Sequence, residues 1–385
     1  MLDASRTRGI AVVSIGSASI SVGIAEHSGR EGYAIVAAER LALPLQERTP
    51  EQTIATVKQR LADVGHRVLA AGAGGRAPRR ITSVHAVIRA PWAQSRTLRA
   101  DIQYKRDEYI REAIITDLAQ RALKDTHVPA ANFLEASVMQ VALNGYVTSE
   151  PAGKYAHKVE IATLVCVADP ALREALRSAL AAVFPSAPVS IHCAARGILE
   201  SVREAHPEKP DCLVLDVSEE GTAAIVVREG TYGSEAYIAE GMRAMFSRAL
   251  PGNPPEETFA SIRMIARGQC DPATCNKVEE ALAKMEPDFA HAFGEFFASM
   301  TTPRRLPNVM ILLVHPDIAP WFVRFFSRID FAQFTEVSQP FEVTLLKDRT
   351  AGPPGPAAAQ AGVGDSELEI ALALINKRGE RDGQR

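Results

Sequence analysis

Two apolar, β-rich runs, each broken by a short polar turn, stand in different halves of the chain. In Ala11–Ile24 the apolar positions run through Ile15, stop at Gly16-Ser17-Ala18-Ser19 and resume at Ile20, Val22 and Ile24. In Leu213–Val226 they run through Val217, stop at Ser218-Glu219-Glu220-Gly221 and resume at Ala223, Ala224 and Ile225. A strand, a small polar turn and a strand read as a hairpin. One hairpin in each half predicts a duplicated fold with a cleft between the halves, in which the turn amides of both hairpins face one anion.

The remaining pattern fills in around these hairpins. Strands are predicted over 10–15, 19–26 and 33–42. A helix follows over 51–64, with Ile54, Val57, Leu61 and Val64 on one stripe. The Gly- and Ala-rich stretch 70–78 reads as a connection. From Ile81 a smaller α+β unit is expected: a strand at 83–88, an amphipathic helix at 107–125 with Ile110, Ile114, Leu118 and Leu123 inward, and strands at 133–143 and 159–167. Helices are predicted at 170–184, from within 190–201, after the turn at Gly241, at 255–266 with Pro255 suited to a helix start, and at 277–300. A buried strand is expected at 309–314. Residues 351–364, rich in Ala, Pro and Gly, read as a low-complexity linker before a short helix at 367–376. The domain plan is 1–80 as the first part of one domain, 81–168 as an inserted unit, 169–340 as a second domain with a return to the first, 341–364 as strand and linker, and 365–385 as a closing helix and tail.

A length of 385 residues supports more than one core. A hydrophobic share of 46%, a charged share of 23% and a net charge of −3 describe an ordinary globular chain, and nothing in them points to nucleic acid. The clusters Arg76/Arg79/Arg80 and Arg304/Arg305 read as solvated loop charge. Five cysteines lack a framework spacing, which argues against a secreted disulfide scaffold. Cys166 and Cys212 read as small core residues, and Cys270 and Cys275 lack two further ligands for a metal. The first apolar run is interrupted by Ser14, Gly16, Ser17 and Ser19, unlike a signal-peptide core, and no run reaches the length of a membrane span. A cytoplasmic location is the expectation.

These motifs, in this order, resemble the bacterial actin-like superfamily, most closely its cell-division member FtsA and its pilus-assembly relative PilM. The 10–26 hairpin resembles the family's first phosphate loop. The 81–167 unit resembles the extra subdomain, of SHS2 type, that distinguishes these two relatives from actin. Leu143-Asn144-Gly145-Tyr146 and the segment to Lys158 resemble the division protein's pattern. Asp216–Thr222 resembles the second phosphate loop, and Ala239-Glu240-Gly241-Met242 the glycine-bearing turn after it. The resemblance implies a duplicated, ribonuclease H-like α/β fold and an ATP site with Mg²⁺, with Ser14, Gly16, Ser17, Asp216, Gly221, Thr222 and Gly241 at its loops.

The sequence departs from that site in each loop. Ser14 stands where the resemblance implies a metal-orienting Asp. Glu219 and Glu220 replace glycines, and a carboxylate a few ångströms from a triphosphate repels it by on the order of 1 kcal/mol or more. Leu312-Leu313-Val314-His315-Pro316-Asp317 replaces the paired glycines expected beside the adenosine, and Pro316 removes an amide. ATP and Mg²⁺ are therefore expected to bind poorly if at all, with hydrolysis weak or lost. Asp216 also reads simply as a strand-ending turn cap, and His85, His192 and His315 as core, edge or turn residues. No Ser/His/Asp, Cys/His or HExxH arrangement can be assembled.

The implied role is a scaffold in cell division or in pilus or envelope-machine assembly, with protein partners, self-association among them, and the 81–167 unit as the contact surface. The alternative is an active ATPase, or a small-molecule kinase of the same superfamily. The 366–378 segment has two readings. Leu368, Ala371, Leu372 and Ile375 form a stripe that either lies on the membrane surface, as in the division protein, or closes the first domain over the 10–43 sheet. Its acids Glu367 and Glu369 and its lack of an aromatic anchor favour the core.

Overall fold

A computed structural model describes residues 8–28, 32–44, 49–72, 80–126, 128–266, 269–302, 304–346 and 366–382. The linker at 351–364 lies outside the described residues. The first sheet is built from β1 (Arg8–Ile15), β2 (Ser19–His27), β3 (Tyr33–Ala42), β4 (Arg80–Ile88) and β9 (Val189–Cys193), in the order β3-β2-β1-β4-β9. β1 is antiparallel to β2 and parallel to β4, and β4 is parallel to β9. The second sheet uses β10 (Cys212–Val217), β11 (Thr222–Arg228), β12 (Thr231–Ile238), β13 (Val309–Leu313) and β14 (Glu342–Leu345), in the order β12-β11-β10-β13-β14. Its pairings repeat those of the first, antiparallel through the hairpin and parallel beyond it. β1 and β10 are central strands and are buried from end to end after Arg8, so both read as continuous apolar runs rather than alternating ones.

A third sheet, in the order β5-β8-β6-β7, comprises β5 (Ala93–Tyr109), β6 (Phe133–Leu143), β7 (Tyr146–Val147) and β8 (Tyr155–Ala168), all antiparallel. Helix α2 (Glu112–Lys124) covers one face through Leu118, against Val141, Leu143, Val159 and Ile161. This unit begins at β5. The strand Arg80–Ile88, which the sequence plan placed in it, pairs with β1 and belongs to the first sheet. A short apolar strand carries no mark of its partner, because parallel pairing is settled by non-local contacts. The helix expected from residue 107 begins at Glu112, because β5 runs to Tyr109. The alternation Leu98, Ala100, Ile102 and Tyr104, with Arg99, Asp101 and Gln103 exposed between them, is the signal of that strand.

Local chemistry sets the helices. Helix α1 (Pro50–Gly72) opens on a reciprocal capping box, in which the Thr49 amide donates to Gln52 Oε1 at 3.0 Å and the Gln52 amide to Thr49 Oγ1 at 3.3 Å. Its buried stripe is Val57, Leu61, Val64 and Val68. Helix α3 (Pro170–Val183) is capped by Asp169, which accepts from the Ala171 and Leu172 amides. Helix α4 (Ala194–Ala205) follows β9 directly.

Helices α5 (Met242–Ala249), α6 (Pro255–Ala266), α7 (Pro272–Met300) and α8 (Ala319–Arg328) serve the second sheet, with a core rich in Phe, including Phe289, Phe293, Phe297 and Phe322. Cys270 and Cys275 form a disulfide at the start of α7, a pairing that their spacing had not suggested. Cys166 and Cys212 are buried free thiols.

Helix α9 (Ser366–Asp382) packs on α4 and on β1 to β4. Leu368, Ile370, Ala371 and Leu374 are at most 1% exposed, so the apolar stripe is buried inside the first lobe. Gly197 of α4 permits the approach, because a Cβ there would stand 2.5 Å from the Ile370 carbonyl oxygen. This arrangement matches the core reading of 366–376. No helix among the described residues is long and apolar enough to cross a membrane.

Candidate functional site

The two hairpins face each other at one end of the two large sheets. Their last strand pairs are Ile15 with Ile20 and Val217 with Thr222, so each closes a turn of the same length. The turns close alike. The Gly16 amide donates to the Ser19 carbonyl at 3.0 Å, and the Ser218 amide to the Gly221 carbonyl at 2.8 Å. The register makes Ser14 and Asp216 equivalent, since they pair with Val87 of β4 and Leu313 of β13 respectively. Two residues beyond those partners come Arg89 and His315, both of which line the space between the turns.

That space is filled by an ion-pair network. Arg89 Nε donates to Asp216 Oδ2 at 3.2 Å, and a second guanidinium nitrogen contacts Oδ1 of the same carboxylate. Its remaining nitrogen lies 2.7 Å from Glu367 Oε1. Glu367 also accepts from Arg40 at 3.2 Å and from Ser19 Oγ at 3.1 Å. Arg89 and Asp216 are 8% and 3% exposed at the side chain, so these charges interact with little water between them. Burial alone would raise the Glu367 pKa, but Arg40, Arg89 and the Ser19 hydroxyl outweigh it and hold the carboxyl below its ordinary value. The cavity left between Gly16, Ser17, Ser218 and His315 is about 30 Å³. A bound small molecule generally needs roughly 300–1,000 Å³.

Several groups at the two turns are committed within the protein. The Glu220 amide donates to Ser17 Oγ across the two turns at 3.3 Å. The Met242 and Arg243 amides, at the start of α5, donate to the Ser218 and Glu219 carbonyls at 3.0 and 3.1 Å. Gly241 makes that contact feasible, since a Cβ there would lie 2.5 Å from both the Glu219 carbonyl oxygen and the Gly221 nitrogen. Thr222 Oγ1 donates to the Glu240 carbonyl at 2.6 Å. Ser14 is fully buried and supplies no carboxylate. At the third loop, His315 Nδ1 accepts from the Asp317 amide at 3.2 Å, and burial lowers the His315 pKa to about 4, so the ring is neutral. Among the described residues no group of three or more His, Cys, Asp or Glu is placed to hold a metal.

A second buried polar cluster ties β12 to the start of β5. Glu235 accepts from Tyr232 Oη at 2.6 Å and from the Ser95 amide at 2.8 Å. Ser95 Oγ lies 3.0 Å from Cys193 Sγ and 3.4 Å from Cys166 Sγ. Burial pushes the Glu235 pKa up to about 7.

The seven residues singled out in the sequence thus gather at adjoining turns. Gly16 and Ser17 line the small cavity, Asp216 anchors Arg89, and Gly221, Thr222 and Gly241 join the second turn to α5. Arg89, Arg40, Ser19 and Glu367 were not singled out as site residues. The only local hint was Arg89 ending an apolar run before Ala90-Pro91.

No protein-family profile and no curated protein matches this chain. Among solved structures, one from the PilM–PilN type IV pilus biogenesis complex is similar at 14% identity and a TM-score of 0.58, over 95% of this chain and 98% of that one. The ethanolamine utilization protein EutJ from Carboxydothermus hydrogenoformans aligns over 94% of this chain and 89% of its own, at 10% identity and a TM-score of 0.45. A Bacteroides thetaiotaomicron protein with an actin-like ATPase fold aligns over 97% and 98%, at 10% identity and a TM-score of 0.41.

Proposed function

We propose that this chain, which has an actin-like fold of two similar sheets and a third, inserted one, is a scaffold that acts through protein–protein contacts in the assembly of a pilus or another envelope machine, with ATP hydrolysis weak or lost. One observation carries the second half of this reading. Arg89, held between Asp216 and Glu367, stands between the two hairpin turns where a phosphate and its metal would have to sit. A triphosphate entering there would meet the carboxylates of Asp216 and Glu367, and would have to displace a carboxylate that already satisfies Arg89, Arg40 and Ser19. Hairpin one offers Ser14 in place of a metal-orienting acid. The residues present do not fit Mg²⁺-ATP, and no catalytic step is assigned to it.

The scaffold half is supported by the likeness to a chain from a pilus biogenesis complex and by the inserted subdomain, read as SHS2-type. Its far end exposes Tyr146, Val147 and Tyr155, with Tyr109 edge-on to Tyr155 at 5.4 Å. Isolated exposed apolar residues are ordinary, but this cluster suits a contact surface. The apolar face of α9 is used internally, so membrane association would come through partners at the inner face. The test is affinity capture of the tagged chain from its own cells, repeated with Tyr146→Ser and Tyr155→Ser together. Capture of a single-span pilus protein, lost in the double variant, is expected. Capture of a tubulin-like partner instead would move the assignment to cell division.

A further inference from the structure

Beside the filled cleft lies a larger pocket of about 430 Å³ between the two lobes. Leu43 of the first lobe and Met242, Phe246 and Phe259 of the second give it apolar walls. Its volume falls in the range of small-molecule sites, and its lining is mainly apolar with a few charged groups, as such sites are. Three arginines border it: Arg40 on β3, Arg60 on α1 and Arg263 on α6. Two of them are already matched. Arg40 pairs with Glu367 at 3.2 Å, and Arg263 lies 2.8 Å from Asp317 and stacks over Phe259 with its guanidinium carbon 4.7 Å from the ring centre. Arg60 makes no hydrogen bond or ion pair among the described residues, and it is half-buried. Glu256, on the same rim, has an interaction of its own.

We infer that this pocket binds a small molecule with a flat apolar body and a single negative charge, the body lying against the wall that Leu43 and the packed rings of Phe246 and Phe259 form, and the charge on Arg60. One unmatched cation beside aromatic walls selects a monoanion. A polyanion would gain one unmatched partner and leave its other charges beside Glu256 and two arginines that are already paired. The pocket adjoins the Arg89 network at Arg40 and Ser19 but is not lined by Arg89, Asp216 or Glu367, and the inference does not depend on the scaffold reading.

The probe is 1-anilinonaphthalene-8-sulfonate, a flat monoanion, titrated into the full chain at neutral pH and followed by fluorescence, with the melting temperature recorded in parallel. Saturable one-to-one binding that raises the melting temperature is expected. Arg60→Glu should weaken it at least tenfold, and Ala260→Trp, which fills the pocket from α6, should abolish it. Arg60 lies on a half-exposed helix face, so its variant decides the matter even where Ala260→Trp fails to fold. Binding that is absent, or unchanged in Arg60→Glu, overturns the inference. Displacement of the dye by equimolar Mg²⁺-ATP would also overturn it, by making the pocket part of a nucleotide site. Failure of dye binding alone leaves the filled cleft intact, since that is read separately by nucleotide titration.

Discussion

The two hairpins share a strand register, a turn length and a closing hydrogen bond, yet they carry different charges. Hairpin one is neutral where hairpin two has Asp216, because its equivalent residue is Ser14. The partners one strand over differ in the opposite sense, with Arg89 beside hairpin one and the neutral His315 beside hairpin two. The result is a salt bridge across the lobes, made from one residue of each repeat. Backbone geometry has outlived the duplication, while the polar side chains have diverged to hold the halves together. Glu367 of α9 completes the arrangement, so the segment that closes the first lobe also fills the cleft.

The harshest way to break this asymmetry is Arg89→Ala. It leaves Asp216 and Glu367 buried in one small space without their shared cation, and removing one partner of a buried pair costs about 3–5 kcal/mol. Urea denaturation should show a midpoint lowered accordingly, or no cooperative transition. An unchanged midpoint would mean that the network contributes nothing.

Next in size is the titration of Glu235, behind hairpin two. Its pKa rises from 4.5 to about 7 in the fold. The folded protein therefore keeps a proton that the unfolded chain releases, and this contribution is fully present below about pH 4.5 and lost as pH rises through about 7. Each pH step of one between those two values is worth about 1.4 kcal/mol, so the whole window carries on the order of 3 kcal/mol. Glu235→Gln keeps an acceptor for Tyr232 and Ser95 without the charge. Its stability above pH 7 should exceed that of the parent, with the advantage shrinking toward pH 5. Parallel pH profiles for the two proteins would contradict the assignment.

The smallest change sharpens the comparison directly. Ser14→Asp gives hairpin one the carboxylate that hairpin two has, in a fully buried position where Arg89 is already engaged. A loss of about 1–3 kcal/mol at neutral pH is expected, as for a buried polar group without an adequate partner, with no gain of ATP turnover. Appearance of Mg²⁺-dependent turnover would show that Ser14 alone had disabled the site.

Much of this was legible in the sequence. The hairpins, the α1 stripe and the core role of Leu368, Ala371 and Leu372 follow from periodicity, because each is a local pattern buried on one face. The membership of β4 was not legible, since a run such as Val84–Ile88 suits any parallel sheet. The long strand β5 is masked because charged residues occupy its exposed face, which dilutes the alternation at Leu98, Ala100, Ile102 and Tyr104. The departures from a metal-binding loop were visible at Ser14 and Glu219. The ion-pair network between the turns was not, because the pairing of Arg89 with Glu367 joins distant segments and no spacing rule connects them.

The central claim is that the chain's own side chains occupy the place of a nucleotide phosphate. Its most direct test is a titration of the full-length protein with a fluorescent ATP analogue in the presence and absence of Mg²⁺, alongside a phosphate-release assay. The account predicts no saturable Mg²⁺-dependent binding and no turnover above background. Low-micromolar binding that requires Mg²⁺, with phosphate released, would contradict it.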